Sequence, residues 1–223
     1  MQPHADPFIV PVCHEEIEIL YQDQYLLLIN KPGVLLTLSG KHPLNKDSVH
    51  FRLVKDFPTA RVIHRLDFGT SGILVVALNK QVCAHISNQF QAHNVAKMYT
   101  AILHGHLPDD NGCIQFPIAK DKLNFPLQKI CYETGKKALT NYQVVERLQE
   151  PSTTRVIFTP VSGRTHQLRI HSSELGHPIL GCDFYASDEA FFMAKRLMLH
   201  ATRIEFSHPV TGKRIKGFSP CPF

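Results

Sequence analysis

The run Ile73–Leu78, ILVVAL, holds six consecutive apolar residues between Gly72 and Asn79. Such a run, short and bounded by turn formers, marks a strand buried on both faces. Directly before it stands His64-Arg65-Leu66-Asp67-Phe68-Gly69-Thr70-Ser71-Gly72. Two glycines, a threonine and a serine crowd behind one carboxylate there, on a loop that a rigid strand holds. Catalytic side chains favour that setting. The plainer reading of the same residues is a turn that Asp67 caps through its short polar side chain.

Other periodicities extend the pattern. Residues 16–30 hold two strand candidates that end in the turn Asn30-Lys31-Pro32-Gly33, and 48–57 allow a short helix. Val82, Ile86 and Phe90 recur every fourth residue and predict a helix from Lys80 to about His93. Strands are expected at 97–103, 138–146, 154–161, 197–206 and 213–218, with a helix from Thr165 to Leu175 that Gly176 stops. Residues 1–15 read as an irregular arm. Strands outnumber helices and no linker divides the rest, so the expectation is one α+β domain over 16–223 on a mixed, mostly antiparallel sheet.

Composition removes several classes of function. Apolar residues make up 43% and charged residues 19%, the balance of a folded globular protein. No run approaches a membrane span, and the N-terminus lacks the basic-then-apolar order of a secretion signal, so a cytoplasmic protein is expected. The six cysteines lie at least 18 residues apart, too scattered for a metal knuckle or a disulfide framework. His104-Gly105-His106 has no second ligand pair at zinc spacing, so no metal site is expected. Lysine and arginine number 24 against 19 acids, a net charge of +5, a modest bias toward polyanions.

A second polar constellation, Ser162-Gly163-Arg164-Thr165-His166-Gln167-Leu168-Arg169-Ile170-His171, sets two arginines, two histidines and a glutamine at a helix start. Helix N-termini attract anions and arginines clamp phosphates or carboxylates. A solvated polar helix face is the simpler alternative. A third segment, Lys97-Met98-Tyr99, lies on a strand, where Tyr99 taken alone reads more readily as a core or edge aromatic.

Together these segments resemble the RluA family of pseudouridine synthases. The resemblance rests on Lys31-Pro32-Gly33, HRLDFGTSGILVVALNK (64–80), KMYTAILHG (97–105), GRTHQLRIHSSELGHPILGCDFY (163–185) and LHA (199–201), in the family's order. The stretch QKICYETGK (128–136) is similar to the small dual-specificity branch, which modifies large-subunit rRNA and the tRNA anticodon loop. One departure is visible. The family commonly reads Lys-Pro-x-Gly, whereas Gly33 here follows Pro32 directly, which predicts a turn displaced by one residue.

What the resemblance implies is specific. It gives a pseudouridine synthase catalytic fold of two subdomains with a central RNA cleft, and no S4-type RNA-binding domain. It makes Asp67 the catalytic carboxylate, with Tyr99 and Arg164 completing the catalytic set. Leu199 lines the uracil pocket, while His64, Arg65, Lys31 and Arg169 are candidate substrate contacts. The substrates are RNA, a tRNA anticodon stem-loop and a 23S rRNA hairpin, met by a monomer. The reaction breaks N1–C1′, turns the uracil and joins C5 to C1′. Atoms are conserved, so no cofactor and no metal is needed. The base must leave its stack, which costs a few kcal/mol and least in loops.

Two rivals from other classes fit the sequence less well. A catalytically silent RNA-binding protein on the same scaffold has no use for a carboxylate facing a polyanion, so Asp67 argues against it. A metal-dependent hydrolase built on the scattered histidines lacks ligand spacing.

Overall fold

The computed structural model describes residues 8–223. Of the irregular arm expected over 1–15, residues 1–7 lie outside that range, and 8–17 carry no regular secondary structure. Along the chain run β1 (Glu18–Gln22), β2 (Leu26–Lys31), α1 (Val49–Leu53), β3 (Arg61–Val62), β4 (Ser71–Ala77) and α2 (Lys80–Gln91). Then come β5 (Ala96–His104), β6 (Asn111–Ile114), β7 (Ile118–Lys120), β8 (Gln128–Ile130), β9 (Thr140–Leu148) and β10 (Thr153–Pro160). The chain closes with α3 (Gln167–Glu174), α4 (Asp188–Phe192), β11 (Leu199–Ser207) and β12 (Arg214–Phe218). This is an α+β fold with few helices, and its sheet pairing is mostly antiparallel, with one parallel bridge at Leu36 and Ser48. The chain forms two compact units, residues 8–95 with 203–220, and residues 96–202 with 221–223.

In the first unit β4 is the interior strand that the apolar run foretells, and all seven of its residues are buried. It pairs antiparallel with β2, Leu28 opposite Val75 and Ile29 opposite Leu74, and with the two-residue β3. β1 flanks β2, and β12 pairs with β11. Val82 and Ile86 of α2 pack with Leu26, Leu28, Ile73, Val75, Ile204 and Phe206. The Asn79 side chain caps α2 by accepting from Val82 N–H at 2.9 Å. The helix ends at Gln91, and His93 beyond it turns left-handed with φ 57°.

The second unit is built on the strand order β5-β10-β9-β6. Tyr99 sits opposite Phe158, and Ala101 opposite Val156. Ala101, Leu103, Val156, Phe158, Leu168, Ile179, Leu197 and Leu199 form its core. β7 and β8 make a separate two-stranded hairpin, with Ile118 opposite Ile130. Ile118, Ile130, Ala138 and Tyr185 seat that hairpin against Ile170 of α3.

The Lys31–Gly33 turn shows what replaces the expected displacement. Position 34, where the Lys-Pro-x-Gly pattern has its glycine, holds Val34 at φ 53°. The left-handed backbone therefore falls at the pattern's own glycine position, and a β-branched residue carries the strain there. The turn keeps its place.

Candidate active site

Asp67 lies on the loop between β3 and β4, half-buried, with Leu66 packed inward and Arg65 exposed. Three ties hold this loop. The Thr70 N–H donates to the Asp67 carbonyl at 3.1 Å and closes a turn immediately behind the carboxylate. The Thr37 hydroxyl donates to the Leu66 carbonyl at 2.8 Å and accepts from the Leu66 N–H at 3.3 Å. The Lys31 ammonium donates to the carbonyls of Pro32 and Leu35, both at 2.8 Å, and of Phe68 at 3.3 Å. The Asp67 backbone is thus fixed on both sides, which is the preorganisation a catalytic carboxylate needs. Gly72, opposite Lys31 in the β2–β4 ladder, has φ 109°, a conformation L-residues avoid. That accounts for the glycine after Thr70-Ser71.

Two of the expected substrate contacts on this unit have another place. Lys31 is completely buried and holds the turn and the Asp67 loop together, so its geometry is that of a brace and not of a phosphate contact. His64 Nε2 accepts from the Val75 N–H at 3.1 Å, and its ring lies 4.7 Å from that of Phe90. That pairing joins the loop to β4 and α2. Arg65 does face solvent, as a contact with RNA requires.

On the second unit Arg164 is exposed on the loop before α3. Its Nε donates to the Lys137 carbonyl at 3.1 Å, and its N–H donates to Gln167 Oε1 at 2.9 Å. Gln167 is the organiser. Its Oε1 also accepts from the Ser162 hydroxyl at 2.8 Å, and its Nε2 donates to the Leu139 carbonyl and to Thr140 Oγ1, both at 3.0 Å. The helix begins at Gln167, two residues later than expected, because His166 adopts φ 55° and ψ 17°. His166 Nδ1 lies 2.8 Å from the Tyr185 hydroxyl.

The polar residues of α3 do not form a solvated face. Gln167, Arg169 and His171 are all buried. Arg169 bonds Cys182 Sγ at 3.3 Å, pairs with Asp183, and lies over the rings of Phe184 at 4.9 Å and Tyr185 at 5.4 Å. It braces α3 against segment 182–185, so the expected phosphate contact gives way to a structural one. His171 donates from Nε2 to the Phe116 carbonyl and accepts at Nδ1 from the Thr140 hydroxyl, both at 3.0 Å. Burial pushes its pKa below the usual imidazole range, against the opposing pull of the Phe116 carbonyl. Tyr99 is half-buried on β5 and packs on the apolar cluster that contains Leu199, itself 3% exposed. Lys97, two residues before Tyr99, has its pKa lowered by burial. Its Nζ would lie 3.8 Å from a Cβ placed on Gly163.

Sequence reasoning gave Gln167 and Tyr185 no role, although both stood inside the quoted motif. Gln167 proves buried and Tyr185 half-buried, each within a hydrogen-bond network, and periodicity cannot register that.

Residues 25–174 match the family described as RNA pseudouridylate synthase. The chain belongs to that family. It is 49% identical over 194 residues to the dual-specificity RNA pseudouridine synthase RluA of Yersinia pestis, covering 87% of this chain and 94% of that one. It is 43% identical over 221 residues to the protein of the same name from Escherichia coli K12, covering 99% and 97%. Among solved structures it resembles human RNA pseudouridylate synthase domain containing 1, with 31% identity, a TM-score of 0.80, and coverage of 96% of this chain and 86% of that chain. The protein is therefore an isomerase that converts uridine in RNA to pseudouridine, and a silent RNA-binding role is not favoured. Among the described residues no helix is long and apolar enough to cross a membrane.

Proposed function

We propose that this pseudouridine synthase acts as a cytoplasmic monomer on hairpin loops of two kinds, a tRNA anticodon loop and a 23S rRNA hairpin loop. The observation that carries this reading is the dual specificity in the names of relatives 49% and 43% identical over nearly their whole length. The QKICYETGK stretch at 128–136 supports it.

In the same proposal Asp67 is the catalytic carboxylate. The target uridine leaves the RNA stack, and a ring such as Tyr99 returns about 1–3 kcal/mol by stacking on the base. As the N1–C1′ bond breaks, positive charge grows at C1′. Asp67 stabilises that charge, bonds C1′ covalently, or removes the 2′ proton to leave a glycal. All three roles need the carboxylate ionised, a form that cations favour, and the family resemblance gives Arg164 to the catalytic set. When C5 has joined C1′, the proton on C5 leaves through the Tyr99 hydroxyl or a water. Leu199 gives the uracil an apolar wall, and Arg65 fills the gap that the extruded base leaves. Lys31 and Thr37 fix the Asp67 loop, and Gln167 fixes the Arg164 loop, each within its own unit and through buried side chains.

Tritium release from C5-labelled uridine tests the substrate claim. Short anticodon stem-loops and a short rRNA hairpin should both release tritium, at rates approaching those of the intact RNAs. Release from intact tRNA or ribosomal subunits but from neither hairpin would refute it.

A further inference from the structure

The β7–β8 hairpin, with the turns on either side of it, presents three large apolar side chains to solvent. Leu123 is 93% exposed, Phe125 79% and Tyr132 75%. Residues 117–137 also carry five lysines against Asp121 and Glu133. Asp121 is occupied internally, accepting from Asn124 Nδ2 at 2.8 Å and from the Leu123 N–H at 3.3 Å. Exposed rings and cations side by side, with little acid to offset them, fit a polyanion that also offers flat apolar faces. RNA has both, and base stacking on such rings tolerates any sequence.

The hairpin is also well founded. The Gln128 N–H donates to the Tyr185 hydroxyl at 2.9 Å, and the same hydroxyl meets His166 Nδ1. At its far end the Lys137 carbonyl receives Arg164 Nε. Gly135 is required in the closing turn, since a Cβ there would stand 2.1 Å from the Cys131 carbonyl oxygen. The segment is therefore tied to the Arg164 loop directly at Lys137, and at Gln128 through the Tyr185 hydroxyl, within one unit.

We propose that residues 117–137 form an accessory RNA contact surface, in which Tyr132, Phe125 and Leu123 take unpaired bases while Lys122, Lys129 and Lys136 hold the neighbouring phosphates. The proposal rests on the reading of hairpin RNA as substrate and deepens it. A surface that stacks bases without reading their edges accepts unlike loops, which is what an enzyme with two substrates requires. The Tyr185 hydroxyl is the bonded connection between this surface and the loop that carries Arg164.

The test is equilibrium binding of a fluorescein-labelled RNA hairpin to the full chain over a range of salt. Tyr132→Ala should weaken binding about tenfold. The combined Lys122→Gln, Lys129→Gln and Lys136→Gln variant should lower the slope of log affinity against log salt by about 2. All four side chains are exposed, so thermal melts should match the parent. Parental affinity and slope in both variants would overturn the proposal, whether or not the parent forms pseudouridine. Weakened binding in both, with a parent that releases no tritium from any RNA, would uphold the surface and defeat the substrate reading instead.

Discussion

Lys31 Nζ donates to the Phe68 carbonyl at 3.3 Å, which ties the end of β2 to the residue that follows Asp67. A fully buried ammonium is costly, and here it is kept by three carbonyl acceptors. Lys31→Met should leave those carbonyls short of a donor and lower stability by about 2–4 kcal/mol. Turnover should fall with it through disorder of the Asp67 loop. The salt slope of RNA binding should stay parental, and urea unfolding together with a salt titration checks both. A slope reduced by about 1 would return Lys31 to the phosphates.

Val34 holds a left-handed backbone that a β-branched residue resists. Val34→Gly should raise stability by about 1 kcal/mol, read as a higher urea midpoint at unchanged slope. No gain would mean that the packing of Val34 offsets its strain.

His171 predicts a pH dependence. Its pKa is lowered in the folded protein, so the unfolded chain binds the proton first as pH falls. Stability from this residue is complete above the ordinary imidazole pKa of about 6.5 and drains away below it, toward the lower folded value. The loss approaches about 1.4 kcal/mol per pH unit at most for one proton. His171→Gln keeps a donor for Phe116 and an acceptor for Thr140, so it should flatten the decline between pH 7 and 5 relative to the parent. Identical slopes would show that the imidazole is not held neutral.

Arg164 is exposed, and its Nε donates to the Lys137 carbonyl. Arg164→Lys keeps the charge but loses the planar set of donors. Turnover should fall at least a hundredfold while RNA affinity changes only a few-fold, measured by single-turnover kinetics beside direct binding. Equal losses in both would make Arg164 an ordinary phosphate contact.

Much of this was legible beforehand. The run Ile73–Leu78 announced β4 because burial on both faces leaves an unbroken apolar string, and Val82, Ile86 and Phe90 announced α2 because one face is buried. The motifs found the loops of Asp67 and Arg164. Missed were β3, β6, β7, β8 and α4, which are two to five residues long and too short to repeat a period often enough to stand out. The roles of Lys31, His64 and Arg169 also escaped. A buried cation and an exposed one are the same letter, and only the fold decides which carbonyls or rings receive it. The late start of α3 had no local warning, since a left-handed backbone at any residue other than glycine is uncommon.

In the proposed mechanism the charge of Asp67 drives the chemistry. Asp67→Asn preserves size and most hydrogen bonding, so folding and RNA binding should remain near parental, phosphate contacts dominating affinity. The decisive measurement is single-turnover tritium release from a C5-labelled RNA hairpin, with the absence of deamidation verified by mass spectrometry. Release at the background rate is expected from a folded, RNA-binding variant. Release near the parental rate would contradict the mechanism.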